Sequence, residues 1–169
     1  MKTEYLRAMA RYNQWMNEKL YRVAARLDDA ERKRDQGAFF KSIHGTLDHI
    51  LLGDRVWMGR FTGELFTPSA LDQNLHDNFT ELHAERVRFD AFIIDWIHGL
   101  DEEAAMADFE YRGIDPPTRR RLKLWFAVTH MFNHQTHHRG QITTLLTQAG
   151  EDVGPTDLLW LPGYTEVLD

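Results

Sequence analysis

Apolar residues near the start of the chain recur at steps of three and four: Leu6, Met9, Tyr12, Met16, Leu20, Val23 and Leu27, with Arg7, Arg11, Glu18, Lys19 and Arg22 between them. An α-helix turns once per about 3.6 residues, so this spacing lines the apolar side chains along one stripe and predicts an amphipathic helix over residues 5–27. Asp28, Asp29 and the charged stretch to Gly37 break the rhythm. A second helix is expected over residues 38–61, where Phe39, Ile43, Leu47, Ile50, Trp57 and Phe61 share a face and Gly63 marks a stop. Beyond a loop from Pro68 to Asn78, a third is expected over residues 79–99, with Leu82, Phe89, Phe92, Ile93 and Trp96 on its apolar side. The fourth begins between Leu122 and Phe126 and ends at Ala149 and Gly150.

Residues 100–118 differ in kind. A loose alternation from Met106 to Tyr111, punctuation by Gly113, Pro116 and Pro117, and a second alternation from Arg120 to Leu124 allow a short β-hairpin before the last helix. The segment from Glu151 to Asp169, with Pro155, Pro162 and Gly163, reads as a loop lying over the helices; Trp160 and Tyr164 make a lid or a dimer contact the alternative. With neither repeats nor low-complexity tracts, the expected fold is all-α: one domain over residues 1–169, a four-helix bundle with a hairpin or irregular segment before its last helix.

Composition narrows the function classes. A net charge of -6 with one short basic run, Arg119 to Arg121, argues against nucleic acid as a partner. No apolar run reaches the roughly 20 residues of a membrane span and no signal-peptide block opens the chain, so a cytoplasmic protein is expected. The absence of cysteine rules out disulfides, a cysteine nucleophile and thiolate-held metals, leaving nitrogen and oxygen ligands.

Four of the nine histidines fall between positions 130 and 138, and His130, His134 and His138 are spaced by four. Residues four apart stand one above the other on a helix, so two such imidazoles can share an ion. With His130 at 0°, the apolar side chains of this helix centre at about 110°, His138 lies near 80°, His134 near 40°, and His137 near 340°. His134 and His138 are therefore the preferred pair, His130 sits at the rim, and His137 lies outside. Position 135 is Gln, so the His-Glu-x-x-His protease pattern is absent.

Catalytic zinc sites take three protein ligands and leave one position open, so a third should come from another helix. The second helix offers His44 and His49. On its projection His49 borders the apolar face beside Ser42, Thr46 and Gly53, whereas His44 and Asp48 project outward with Lys41 and Arg55 and are expected to meet solvent. His49, His134 and His138 form the candidate ligand set. His76, His83 and His98 read as ordinary packing residues, Trp125, Phe126 and Phe132 as core, and Arg55, Arg60 and Arg139 as surface or ion-pair residues, although an arginine near an open metal can take a substrate carboxylate. Asp48 and Asp54 flank His49, yet spacing does not choose a second-sphere group or a general base, and no catalytic residue is assigned.

The stretches Tyr12-Asn13-Gln14-Trp15-Met16-Asn17, Gly45 to Trp57 and His130 to Gln141 resemble the DinB family of metal-dependent proteins, distinct from the similarly named DNA polymerase. The resemblance spans nearly the whole chain. It implies a four-helix bundle, often a homodimer, with a divalent metal held by three histidines that match His49, His134 and His138. Relatives in the wider superfamily include transferases and an isomerase that use a low-molecular-weight thiol. The function expected is a metal-dependent enzyme, a thiol S-transferase or a hydrolase, in which a zinc or nickel ion activates a thiol or water toward a small-molecule substrate. The rival is a non-catalytic dimeric metal-binding bundle associated with stress response.

Overall fold

The computed structural model describes residues 2–70, 72–114 and 117–165. Pro116 and the last four residues of the tail, both used in reading the sequence, lie outside the described residues. Four long helices, α1 (Lys2–Ala24), α3 (Ile43–Thr62), α4 (Phe79–His98) and α6 (Leu124–Gln148), form the bundle. Two five-residue helices, α2 (Asp29–Lys33) and α5 (Glu102–Met106), sit in the connections. The expected hairpin is present: β1 (Asp108–Arg112) pairs antiparallel with β2 (Arg119–Lys123), directly before α6.

Around the bundle the helices neighbour one another in the ring α1, α4, α3, α6, so consecutive long helices α1 and α3 face each other across the core. Leu6, Leu20, Ile43, Leu51, Leu82, Ile97, Val128 and Leu146 are among the side chains that fill that core, each almost wholly removed from water. For α1 and α6 this matches the stripes read from the sequence; in α4 Leu82 and Ile93 are buried, while Phe89 and Trp96 are only partly so. Among the described residues no helix is long and apolar enough to cross a membrane.

The second helix starts later than its apolar pattern suggests. Ser42 is its N-cap, with the side chain accepting from the Gly45 N–H at 3.0 Å, and a turn closed by the Lys41 N–H on the Ala38 carbonyl at 2.8 Å precedes it. Phe39 is therefore outside the helix and 83% exposed, not core. A Cβ on Gly45 would collide with the Phe40 carbonyl oxygen, so glycine permits this turn to lie against the helix. The first helix ends at Ala24, not Leu27, because the Asp28 side chain caps α2 through the Glu31 N–H.

Phe92 and Phe126 were expected in the core and are exposed. His44 and Asp48, expected in solvent, are buried: residues 72–78 fold back over that face of α3, placing the His76 carbonyl oxygen 2.7 Å from His44 Nε2 and both the Leu75 and His76 N–H groups on the Asp48 carboxylate. A helical projection locates a side chain on its own helix but not the loop that returns to cover it. The described tail does lie over the bundle, with Leu161 buried and the Tyr12 hydroxyl donating to the Thr156 carbonyl.

Candidate metal centre

The seam between α3 and α6 brings together His49, His134 and His138. One nitrogen of each lies within 4.8 Å of the others. His130 does not join them, as its ring packs on Trp57 at 5.0 Å between centroids, and His137 is exposed, as its projection required. Of the three, His49 and His138 are buried and His134 is half-buried.

The donor set fits a metal ion. The Gln141 amide faces His137 with Nε2 and leaves Oε1 to accept from His138 Nδ1 at 2.8 Å. That bond places the His138 proton on Nδ1 and leaves Nε2 as a bare lone pair, the form a metal requires. His138 Nε2 lies 3.1 Å from His134 Nε2. Two nitrogens each about 2.0–2.1 Å from a tetrahedral ion stand about 3.4 Å apart, so the pair is already near ligating separation.

Local sequence builds this closeness. Gly53 lies one turn beyond His49 on α3, and a Cβ there would sit 2.9 Å from His134 Cε1. The missing side chain is the space that the His134 ring occupies. On the other side Phe40 stacks on His49, 3.6 Å between centroids and 17° between planes, and meets His138 edge-on. The turn that removed Phe40 from the predicted helix is what aims its ring at the site. Burial, followed by the neighbouring His138 and His49 rings, holds the His134 imidazole down at about 3, and burial also lowers His138. Both rings are uncharged at neutral pH and need lose no proton to ligate.

Behind the site runs a buried polar chain that joins all four long helices. Gln135, next to His134, donates to Asp54, next to Gly53; Asp54 pairs with Arg86 at 2.6 Å, and Arg86 with Asp90 at 2.8 Å. Asn13 and Asn17 of α1 donate to Asp90, and Arg139, stacked over Tyr12, donates to Asn13. Arg139 is thus buried, contrary to its surface reading. Two arginines and two aspartates balance in charge, which buried ions require. Burial pushes the Asp54 carboxyl up to about 6 against the pull of Arg86.

A pocket of about 330 Å³ opens beside the histidines, bordered by His49, His134, Gly53, Trp57, Arg60 and Tyr111 among others. The hairpin forms its outer wall. A larger cavity, about 700 Å³, lies between α1, α6 and the tail and contains none of the three histidines. The tail therefore borders that cavity, while the hairpin borders the histidine pocket.

The model of the DinB family matches residues 1–166. The chain belongs to the DinB family. Protein DinB of Bacillus subtilis (strain 168) is similar to this DinB family member at 26% identity over 155 residues, spanning 86% of this chain and 87% of that protein. The crystal structure of a DinB-like protein from Bacillus cereus ATCC 10987 superposes with a TM-score of 0.64 at 18% identity, covering 83% of this chain and 89% of the other. At that identity the likeness is one of fold. Family and fold thus agree with the resemblance carried by the three sequence stretches.

Reading the sequence missed Phe40, Gln141 and the Asp54–Gln135 contact. Gln141 carried a signal, since it lies three residues beyond His138 on the same helix face. Phe40 carried none, because its placement depends on a turn.

Proposed function

We propose that this DinB family member is a metal-dependent enzyme in which His49, His134 and His138 hold a divalent ion, zinc or nickel, beside a pocket for a small-molecule substrate. The observation that carries the reading is the convergence of three imidazole nitrogens, two of them, on His49 and His134, at the wall of an open pocket. A divalent ion bound there supplies Lewis acidity, lowering the pKa of a coordinated thiol or water toward neutrality. Thiol S-transfer and hydrolysis are the two reaction types in view. Because the chain has no cysteine, a reacting thiol arrives on a low-molecular-weight cofactor or on the substrate.

The chain's own residues orient and shield. Gln141 fixes the His138 tautomer, Phe40 covers one face of His49 and abuts His138 edge-on, and Gly53 admits the His134 ring. His130 lines the pocket, and burial, then Arg60, keeps its imidazole below the usual histidine range. It is uncharged at neutral pH and able to accept a proton from a group bound in the pocket. We place the protein in the cytoplasm as a homodimer, which light scattering tests.

Metal analysis of protein purified without a histidine tag should give close to one ion per chain, and His134→Ala should abolish it. Metal retained by the variant lacking all three imidazoles refutes the site. The rival, a structural ion in a non-catalytic bundle, requires that EDTA lower the melting temperature steeply; the open pocket beside the histidines supports the enzyme reading instead.

A further inference from the structure

Strand β2 carries four cations, Arg119, Arg120, Arg121 and Lys123, whose partners differ by face. Arg119 and Arg121 both pair with Glu110, and Lys123 pairs with Asp108 at 2.7 Å, so each of these three cations on the outer face has a carboxylate partner. Arg120 points the other way, as alternation along a strand demands, and stands opposite Tyr111 in the register. No carboxylate among the described residues pairs with it. Arg60 of α3 is in the same condition: its guanidinium lies over Trp57 at 4.6 Å and over Tyr111 at 4.9 Å, and among the described residues its hydrogen-bond acceptor is the Arg112 carbonyl at 3.3 Å.

Both arginines line the histidine pocket, and Arg120 also lines an adjoining space of about 470 Å³ that shares Trp57, Tyr111 and His130. Tyr111 is their common neighbour. Arg60 is half-buried and Arg120 exposed at the pocket rim; a half-buried guanidinium with no carboxylate partner is costly and is ordinarily retained where an anion will meet it. The flat fork of an arginine braced on aromatic rings matches a planar carboxylate through paired hydrogen bonds.

We propose that this pocket binds a small planar substrate bearing a carboxylate, with Arg60 and Arg120 taking the carboxylate, Trp57 and Tyr111 flanking the body, and the remote end facing His49 and His134. The inference rests on the preceding reading only in calling the occupant a substrate. A pocket of about 330 Å³ suits a molecule of one ring with short substituents.

The test uses benzoate and its neutral counterpart benzamide, titrated into metal-free and zinc-loaded full-length protein while the Trp57 indole N–H is followed by NMR. Benzoate is expected to bind at least tenfold more tightly than benzamide in both forms. Arg120→Gln, at an exposed strand position that leaves the bundle intact, should cut benzoate affinity about tenfold and leave benzamide unchanged, and adding Arg60→Gln should erase the preference. Arg60→Lys, which keeps the charge but not the fork, should fall between. Benzoate bound only by the zinc-loaded form and indifferent to both arginines means that the metal holds the carboxylate; this overturns the proposal and leaves the metal reading intact. Equal affinity for benzoate and benzamide also overturns it. Arginine-dependent benzoate binding by a protein that takes up no zinc upholds the anion site and removes the metal reading.

Discussion

Adding one methyl group at Gly53 tests the site's geometry most directly. The Cβ of Gly53→Ala would lie 2.9 Å from His134 Cε1 and 3.4 Å from its Nδ1. Carbon atoms in contact prefer about 3.5–4.0 Å, so the ring must move by roughly 0.6–1 Å. Metal–nitrogen bonds tolerate only about 0.2 Å, so this displacement is expected to weaken zinc binding at least tenfold, about 1.4 kcal/mol. In the metal-free protein two effects oppose each other: alanine favours the helix by about 1 kcal/mol, and overpacking costs about 1–3 kcal/mol. Metal-free stability should thus fall by about 0–2 kcal/mol, while zinc affinity drops as well.

Gly140→Ala supplies the control, since a Cβ at that helical position meets nothing within 4 Å. It should gain about 0.5–1 kcal/mol in stability with unchanged zinc affinity. Zinc titration by calorimetry reads the affinities. Thermal melts with and without zinc read the same quantity through linkage, the zinc-induced rise being about 3–6 °C smaller for Gly53→Ala. Wild-type zinc affinity in Gly53→Ala, or an equal loss in Gly140→Ala, would refute the argument that this glycine makes room for a ligand.

Other outcomes follow from the same contacts. Gln141→Ala frees the His138 tautomer and should weaken zinc binding about 10–100-fold in a competition titration against a chelator, with no more than a small change in melting temperature. His134 is held at about 3 in the folded metal-free protein, below the ordinary value near 6.5 that it regains on unfolding, so the unfolded state binds the extra proton between those values. Metal-free wild type should therefore lose stability relative to His134→Asn as pH falls from 6.5 toward 3, by up to about 1.4 kcal/mol per pH unit, and parallel urea-melt curves across that window would contradict the shift. Arg86→Met strands Asp54 and Asp90 without their shared cation and should cost about 3–5 kcal/mol by urea melts; a loss below about 1 kcal/mol would show that the pairs contribute nothing net.

What the sequence made legible was what each helix determines by itself. The stripes of α1 and α6, the order of the elements, the hairpin at Asp108–Arg112 and Arg119–Lys123, and the choice of His134 and His138 over His137 all depend on periodicity and local turn signals. The failures share a cause in tertiary return. His44 and Asp48 are turned from solvent-facing to buried by residues 72–78, and Phe39 and Phe40 leave the helix because Ser42 outcompetes the apolar pattern for the cap. Arg139 sits among charged and polar neighbours in sequence, yet its partners Asn13 and Tyr12 are more than a hundred residues away.

Gly53 and Asp54 on α3 face His134 and Gln135 on α6, in that order: one consecutive pair makes a steric contact and the next a hydrogen bond. The two contacts act in opposite senses. Gly53 lets the helices approach until the His134 ring fills the gap, while the Asp54–Gln135 bond, backed by Arg86 and Asp90, fixes their register. An apolar seam could hold the helices as close, but aliphatic surfaces slide with little penalty, and a slip of one residue would carry His134 about 100° around its helix, away from His49. Buried charges are a poor way to add stability and a good way to penalise such a slip, because every shifted register leaves an ion unpaired. The polar chain behind the histidines is therefore part of the site's geometry, although none of its members lines the pocket that His49 and His134 border.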